Sequence, residues 1–165
     1  MLLLLTAVCG ADEARLQLFK NGYCTGNPSL SVNRSGQVFR NGYCTGNPVR
    51  SFKREGNISR FYRNGYCTGY PEYSIRFDGS RIYFYPNGYC TGNPKYSFAI
   101  RNNGIQYYNN GYCTGNPNMF IGQNNIIQIY SNGFGTGNPS ISIRGAASPT
   151  DVIELFLFHF VIGMW

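Results

Sequence analysis

Five cysteines recur at one place in a repeating sequence. Cys24, Cys44, Cys67, Cys90 and Cys113 are spaced 20, 23, 23 and 23 residues apart. Thiols at a regular interval raise two chemistries, metal ligation and disulfide pairing. A zinc ribbon or finger needs ligands two to four residues apart, so the interval excludes one. Disulfides depend on the architecture. Equivalent cysteines on every second strand of a barrel lie about 9.6 Å apart, beyond the roughly 7 Å Cα limit for a bridge. In a β-helix with one repeat per rung they would stack about 4.8 Å apart, and neighbours could pair. The reading adopted is that the five are small buried apolar groups facing aromatic side chains.

Catalytic groups are sparse. The one histidine, His159, sits in an apolar segment with no nucleophile or carboxylate at a suggestive spacing, which fits a packed side chain better than a base or ligand. Glu55, Glu72 and Asp78 fall in different repeats and form no paired acid/base pattern. No phosphate loop of the Walker type occurs. The expectation is a protein that is not an enzyme and that needs no cofactor or metal.

Binding residues are more evident. All 14 lysines and arginines lie between Arg15 and Arg144, opposed there by three acids, a net of +11 against +7 for the whole chain. Such a field favours anionic partners, and equally keeps an aromatic-rich surface soluble. Lys20, Arg40 and Arg63 precede the same motif in the first three repeats, where the last three carry Pro86, Asn109 and Ser131. That asymmetry predicts a basic sector able to meet anionic lipid headgroups. Tyr23, Tyr43, Tyr66, Tyr89 and Tyr112 recur in register and offer a candidate aromatic platform for a glycan. The threonine after each repeat cysteine is read as a strand residue. Asn33 and Asn57 open glycosylation sequons, which carry little weight in a chain so rich in Asn and Ser.

These residues ride on six copies of one octapeptide: Asn21–Pro28, Asn41–Pro48, Asn64–Pro71, Asn87–Pro94, Asn110–Pro117 and Asn132–Pro139. Four read NGYCTGNP; the third has Tyr70 for Asn, and the sixth reads NGFGTGNP. Such a period marks a solenoid, propeller or closed array, since one unit cannot bury its own apolar face. Two residues before each Asn-Gly stands an aromatic (Phe19, Phe39, Tyr62, Tyr85, Tyr108, Tyr130), and three before it an apolar or aromatic side chain. Asn-Gly is the preferred pair for a two-residue type I′ hairpin, with both residues at positive φ. After the Pro, apolar residues alternate with Ser31, Ser51, Ser74, Ser97 and Ser142, the pattern of a strand with one buried and one wet face.

Two strands per repeat make about twelve, and closure removes both edges. The predicted fold is therefore all-β, a six-repeat antiparallel closed barrel over residues 15–145. A barrel that wide is not filled by its own side chains. The spare apolar element is the hydrophobic C-terminal segment within residues 151–165, which as a helix of 14 residues would be about 21 Å long. It is too short for an ordinary membrane-spanning helix. An interfacial anchor or a removable lipid-anchor signal remains open for it.

The short repeat, with Asn-Gly, an aromatic ahead of it and a Gly shortly after, resembles the β-flower repeats that build shallow symmetric barrels of hairpins. Those barrels are in turn similar to the tubby-like fold, a twelve-stranded barrel threaded by a hydrophobic C-terminal helix. The resemblance covers roughly residues 15–145 and the tail. No tubby-type motif is present, so no phosphoinositide-binding residue carries over.

Leu2–Leu5 with Thr6–Val8 and the small residues before Ala11 resemble a truncated secretory signal over residues 1–10, lacking the usual basic start. The functional expectation is a non-enzymatic barrel that docks on anionic membrane surfaces. The alternatives are a secreted or surface-anchored glycan-binding module and a purely structural repeat. Nucleic acid is not expected as a partner, and the sequence is silent on oligomeric state.

Overall fold

A computed structural model of the chain describes residues 14–123, 126–145, 148–160 and 163. The signal-like segment 1–10 lies outside the described residues, as does Trp165. The strands are β1 (Leu16–Phe19), β2 (Leu30–Val32), β3 (Gln37–Phe39), β4 (Arg50–Glu55), β5 (Ile58–Tyr62) and β6 (Tyr73–Asp78). They continue with β7 (Arg81–Tyr85), β8 (Tyr96–Arg101), β9 (Gly104–Tyr108), β10 (Met119–Gln123), β11 (Ile127–Tyr130) and β12 (Ile141–Arg144). One helix, α1 (Pro149–Phe160), follows. Each strand pairs antiparallel with its sequence neighbours, and β1 pairs with β12 through Gln17↔Arg144, Leu18↔Ile143 and Phe19↔Ser142, closing a twelve-stranded barrel.

Period-two alternation sends one set of side chains inward. Leu16, Leu18, Val32, Val38, Phe61, Ile75, Ile82, Phe84, Phe98, Ile105, Ile121, Ile129 and Ile143 are buried around α1. The helix occupies the lumen. Phe158 meets Phe52 and Phe61 on one wall, while Phe156 meets Phe98 and Tyr107 on another, with ring centroids 5.3–6.0 Å apart. Val152, Ile153, Leu155, Phe156, Leu157 and Phe158 have no exposed surface, so the helix is buried on every face, as one inside a core must be. Its start is a capping box. Ser148 Oγ accepts from Asp151 N, Asp151 Oδ2 accepts from Ser148 N, and Pro149 takes the first helical position.

The octapeptides are not two-residue hairpins. Each lies in a ten-residue loop, such as residues 20–29 between β1 and β2. The left-handed residues are the cysteine, at φ near 52°, and the second glycine, while the Asn-Gly pair stays at negative φ. The asparagine side chain folds onto its own loop instead. Asn21 Oδ1 accepts from the amides of Tyr23 and Thr25, and its Nδ2 donates to Thr25 O at 2.7 Å. The first glycine answers a different need: a Cβ on Gly22 would sit 2.3 Å from Pro139 of the preceding loop, and one on Gly42 1.9 Å from Pro28. Six loops thus interlock proline to glycine around one rim, and the sixth meets the first.

The serine face is not wet. Ser31, Ser51, Ser74, Ser97 and Ser142 point outward but are fully buried, because the loops fold over them. Ser74 Oγ donates to Asn87 O at 2.6 Å and accepts from Cys90 N at 2.9 Å. The same bridge recurs from Ser31 to the Asn41 loop, from Ser51 to Asn64, from Ser97 to Asn110 and from Ser142 to Asn21. Buried hydroxyls that satisfy a loop donor and a loop carbonyl together staple the loop to the wall.

Candidate functional site

The barrel has two unlike ends, one ringed by the six octapeptide loops and the other by the short turns. At the loop rim the motif tyrosines stand free. Tyr23, Tyr43, Tyr66, Tyr89 and Tyr112 are 55–61% exposed, Phe134 in the sixth loop 68% and Tyr70 89%. These are all the large exposed apolar side chains among the described residues, and every one lies in an octapeptide. Each loop also exposes its threonine, and five expose the second asparagine. Adjacent loops share contacts, since Tyr43 Oη lies 3.2 Å from Asn27 Oδ1.

Lys20, Arg40 and Arg63 open the first three loops, and all are exposed on this same rim. They differ in freedom. Arg63 Nη2 donates to Glu72 Oε1 at 2.7 Å, and Arg50 Nη1 donates to Glu72 Oε2 at 2.8 Å. The hydrogen bond from Arg63 leads the effects that hold the Glu72 carboxyl below its ordinary range. The third cation is therefore partly neutralised. Of the five repeat cysteines, Cys24 and Cys44 are buried and Cys67, Cys90 and Cys113 half-buried; none of the five forms a disulfide. Each lies over the outer wall at a serine paired across the strands with the aromatic two residues before Asn-Gly, as Ser142 pairs with Phe19 and Ser31 with Phe39. Their amides bond the serine of the neighbouring wall, and Cys44 Sγ and Cys90 Sγ lie 3.3 and 3.2 Å from Ser31 Oγ and Ser74 Oγ.

The other end holds a charged cluster that sequence reasoning missed. Glu154 has no exposed surface, yet it sits on the lumenal helix. Arg54 reaches inward and donates to both its oxygens, at 2.8 and 3.2 Å, and Ser59 Oγ donates at 2.6 Å. Asp151 pairs with Arg15 and with Arg54. Burial pushes the Glu154 carboxyl up, against the hydrogen bonds of Arg54 and Ser59 that pull it down. The signal for this cluster was present. Arg54 and Ser59 occupy repeat positions filled by Phe77 and Ile100, and by Ile82 and Ile105, in later copies. His159, at the far end of the helix, is 1% exposed and packs edge-on against Phe160. Burial, with Lys20 nearby, holds its imidazole down at about 4.

Comparison with family models, with curated proteins and with solved structures finds no match. What the structure shows is the architecture itself, a closed barrel of twelve antiparallel strands followed by a helix.

Two clefts flank Arg54 at the turn rim. One, of about 260 Å³, is lined by Arg15, Arg34, Lys53 and Arg54 with Ser35, Gly36 and Phe52. The other, of about 500 Å³, lies between the turns after β4, β6 and β8 and the helix start. Asn33 is buried and its amide is tied to Gln37 and Ser35, so the first sequon is closed to modification in the folded chain. No described helix is long and apolar enough to cross a membrane. Among the described residues no three His, Cys, Asp or Glu side chains form a metal-binding group.

Proposed function

We propose that the loop rim is a non-catalytic docking face for anionic membrane surfaces, on a barrel of the β-flower or tubby-like type. The observation that supports this reading is the sharing of one rim by an exposed aromatic crown and by Lys20 and Arg40. Tyrosines partition to the headgroup level of a bilayer, and each cation near an anionic surface contributes about 1 kcal/mol. Nothing in the packing accounts for the exposed tyrosines, which persist through five loops, with Phe134 in the sixth, while the strands between them diverge. The apolar helix plays no part in docking, because its apolar residues fill the lumen.

The test is co-sedimentation of the full chain with neutral and phosphatidylserine vesicles at low and high salt. Binding to the anionic vesicles that fades with salt is expected. Replacing Lys20, Arg40 and Arg63 by Gln should weaken it ten- to a hundredfold, the lower figure reflecting the Arg63–Glu72 pair. Unchanged binding of that variant would sink the proposal.

A glycan is the second reading, favoured by one observation. The last three loops keep the aromatic, Thr and Asn surface without any cation before the motif. Stacking on aromatic faces with amide and hydroxyl donors alongside suits a neutral sugar. Retention on an immobilised neutral glycan, lost when the five tyrosines become alanine and unmoved by salt, would select it over the lipid.

A further inference from the structure

From the turn-rim cleft we infer a second binding site, for a small soluble phosphate ester, at the end of the barrel opposite the aromatic crown. Four cations line the cleft: Arg15, Arg34, Lys53 and Arg54. Its volume of about 260 Å³ exceeds that of a bare phosphate and suits a multiply charged ester.

The carboxylates around it stand behind the cations. The Asp151 and Glu154 side chains are 8% and 0% exposed and hold Arg15 and Arg54 in place, whose side chains are 29% and 37% exposed. Glu55, on the outer surface, pairs with Lys53 at 2.9 Å and with Arg60. Such exposed pairs contribute little and exchange readily for a stronger anion. Arg34 has no carboxylate partner among the described residues and is exposed. The cleft thus presents two guanidinium groups fixed from behind, one free guanidinium, one ammonium and the Ser35 hydroxyl. Planar guanidinium forks bind carboxylate and phosphate oxygens alike in pairs, but a phosphate monoester brings three acceptor oxygens and nearly two charges to cations gathered on several sides, which makes it a better occupant than a carboxylate.

The repeat pattern shows that the cleft is specific to this sector. Arg34 and Arg54 lie at one repeat position, thirteen residues after Asn21 and Asn41, where later repeats carry Phe77, Ile100 and Gln123. Gly36 stands where other copies carry Leu16, Ser59, Ile82, Ile105 and Ile127, and its lack of a side chain lets the Phe52 carbonyl close against it, since a Cβ there would lie 2.3 Å from Phe52 O. The soluble source follows from the surface. The turn rim exposes no large apolar side chain among the described residues, so it has nothing to enter a bilayer.

The experiment is calorimetric titration of the full chain with inorganic pyrophosphate at low salt, repeated with the double variant R34Q/K53Q and with K20Q/R40Q. Saturable binding is expected, weakened at least tenfold in R34Q/K53Q and unchanged in K20Q/R40Q. Both variants lie on exposed positions and should melt like the parent chain without ligand. Absence of binding, or equal weakening in both variants, would overturn the site. Displacement of pyrophosphate by phosphatidic acid vesicles would overturn the soluble assignment. Neither result bears on phosphatidylserine binding at the loop rim, which the K20Q/R40Q variant probes alone.

Discussion

Phe120 and Gly135 are a matched exception in an otherwise regular ring. Phe120 stands where the other five repeats place a buried serine, and Gly135 stands where the other five loops place cysteine. A Cβ on Gly135 would lie 2.4 Å from the Phe120 ring. One wall position exchanged a hydroxyl staple for an aromatic contact with Tyr130, and the facing loop gave up its side chain to make room.

The two positions should therefore be coupled. Restoring the cysteine alone, Gly135→Cys, forces the side chain onto the Phe120 ring and is expected to destabilise by about 1–3 kcal/mol. Left-handed φ is not the cause, since Gly135 sits at 68° and five cysteines accept about 52°. The double change Phe120→Ser with Gly135→Cys should recover much of the loss by rebuilding the staple seen at Ser74. Urea melts of the two singles and the double give the coupling; simple additivity would contradict the pairing.

Glu154 is expected to be the most sensitive polar residue of the helix. Glu154→Ala leaves Arg54 with Asp151 alone and Ser59 without its acceptor. The cost should be about 3 kcal/mol, the low end for a broken buried pair because Arg54 is partly solvated. Replacing Arg54 and Glu154 together by Met and Leu should cost less than either single loss. A larger cost for the pair, read by chemical denaturation, would argue against an uncompensated buried charge as the source of the loss.

His159 gives the fold an acid-side weakness. Its folded value of about 4 lies below the ordinary 6.5, so the unfolded chain takes up a proton first as pH falls. Its contribution is fully present above pH 6.5 and is lost between there and about 4, by at most about 3 kcal/mol. Glu154, raised by burial, acts in the opposite sense, binding its proton earlier in the folded chain. Subtracting the pH profile of His159→Phe from that of the parent isolates the histidine. A difference flat from pH 7 to 4.5 would refute the buried neutral imidazole.

Much of this architecture is legible in the residues. The six octapeptides, the two apolar runs per repeat and the lone apolar tail lead to twelve strands, closure and a filled lumen. Local chemistry at the motif was harder. Asn-Gly reads as a hairpin because that pair so often takes positive φ, yet here a proline from the preceding loop claims the space beside the glycine. The Asn21 amide and the serine staple supply the loop geometry that the turn would have supplied. Neither partner is adjacent in sequence. The serines read as solvent-facing because alternation tells which residues share a face, not what covers it.

By itself the sequence determined the number of units, their strand content and the need for closure, because period and alternation are properties of consecutive residues. Tertiary structure decided inside from outside. Aromatics occupy both faces of the strands before Asn-Gly, and the lumen belongs to the column of Leu18, Phe61 and Phe84 because that column meets the helix. It also decided where charge gathers. Arg54 and Glu154 are 100 residues apart, and only a closed barrel with its helix threaded inward brings them to 2.8 Å. The aromatic crown and the cationic cleft likewise belong to opposite ends because a hairpin array sends alternate connections to opposite rims. No single repeat carries that division.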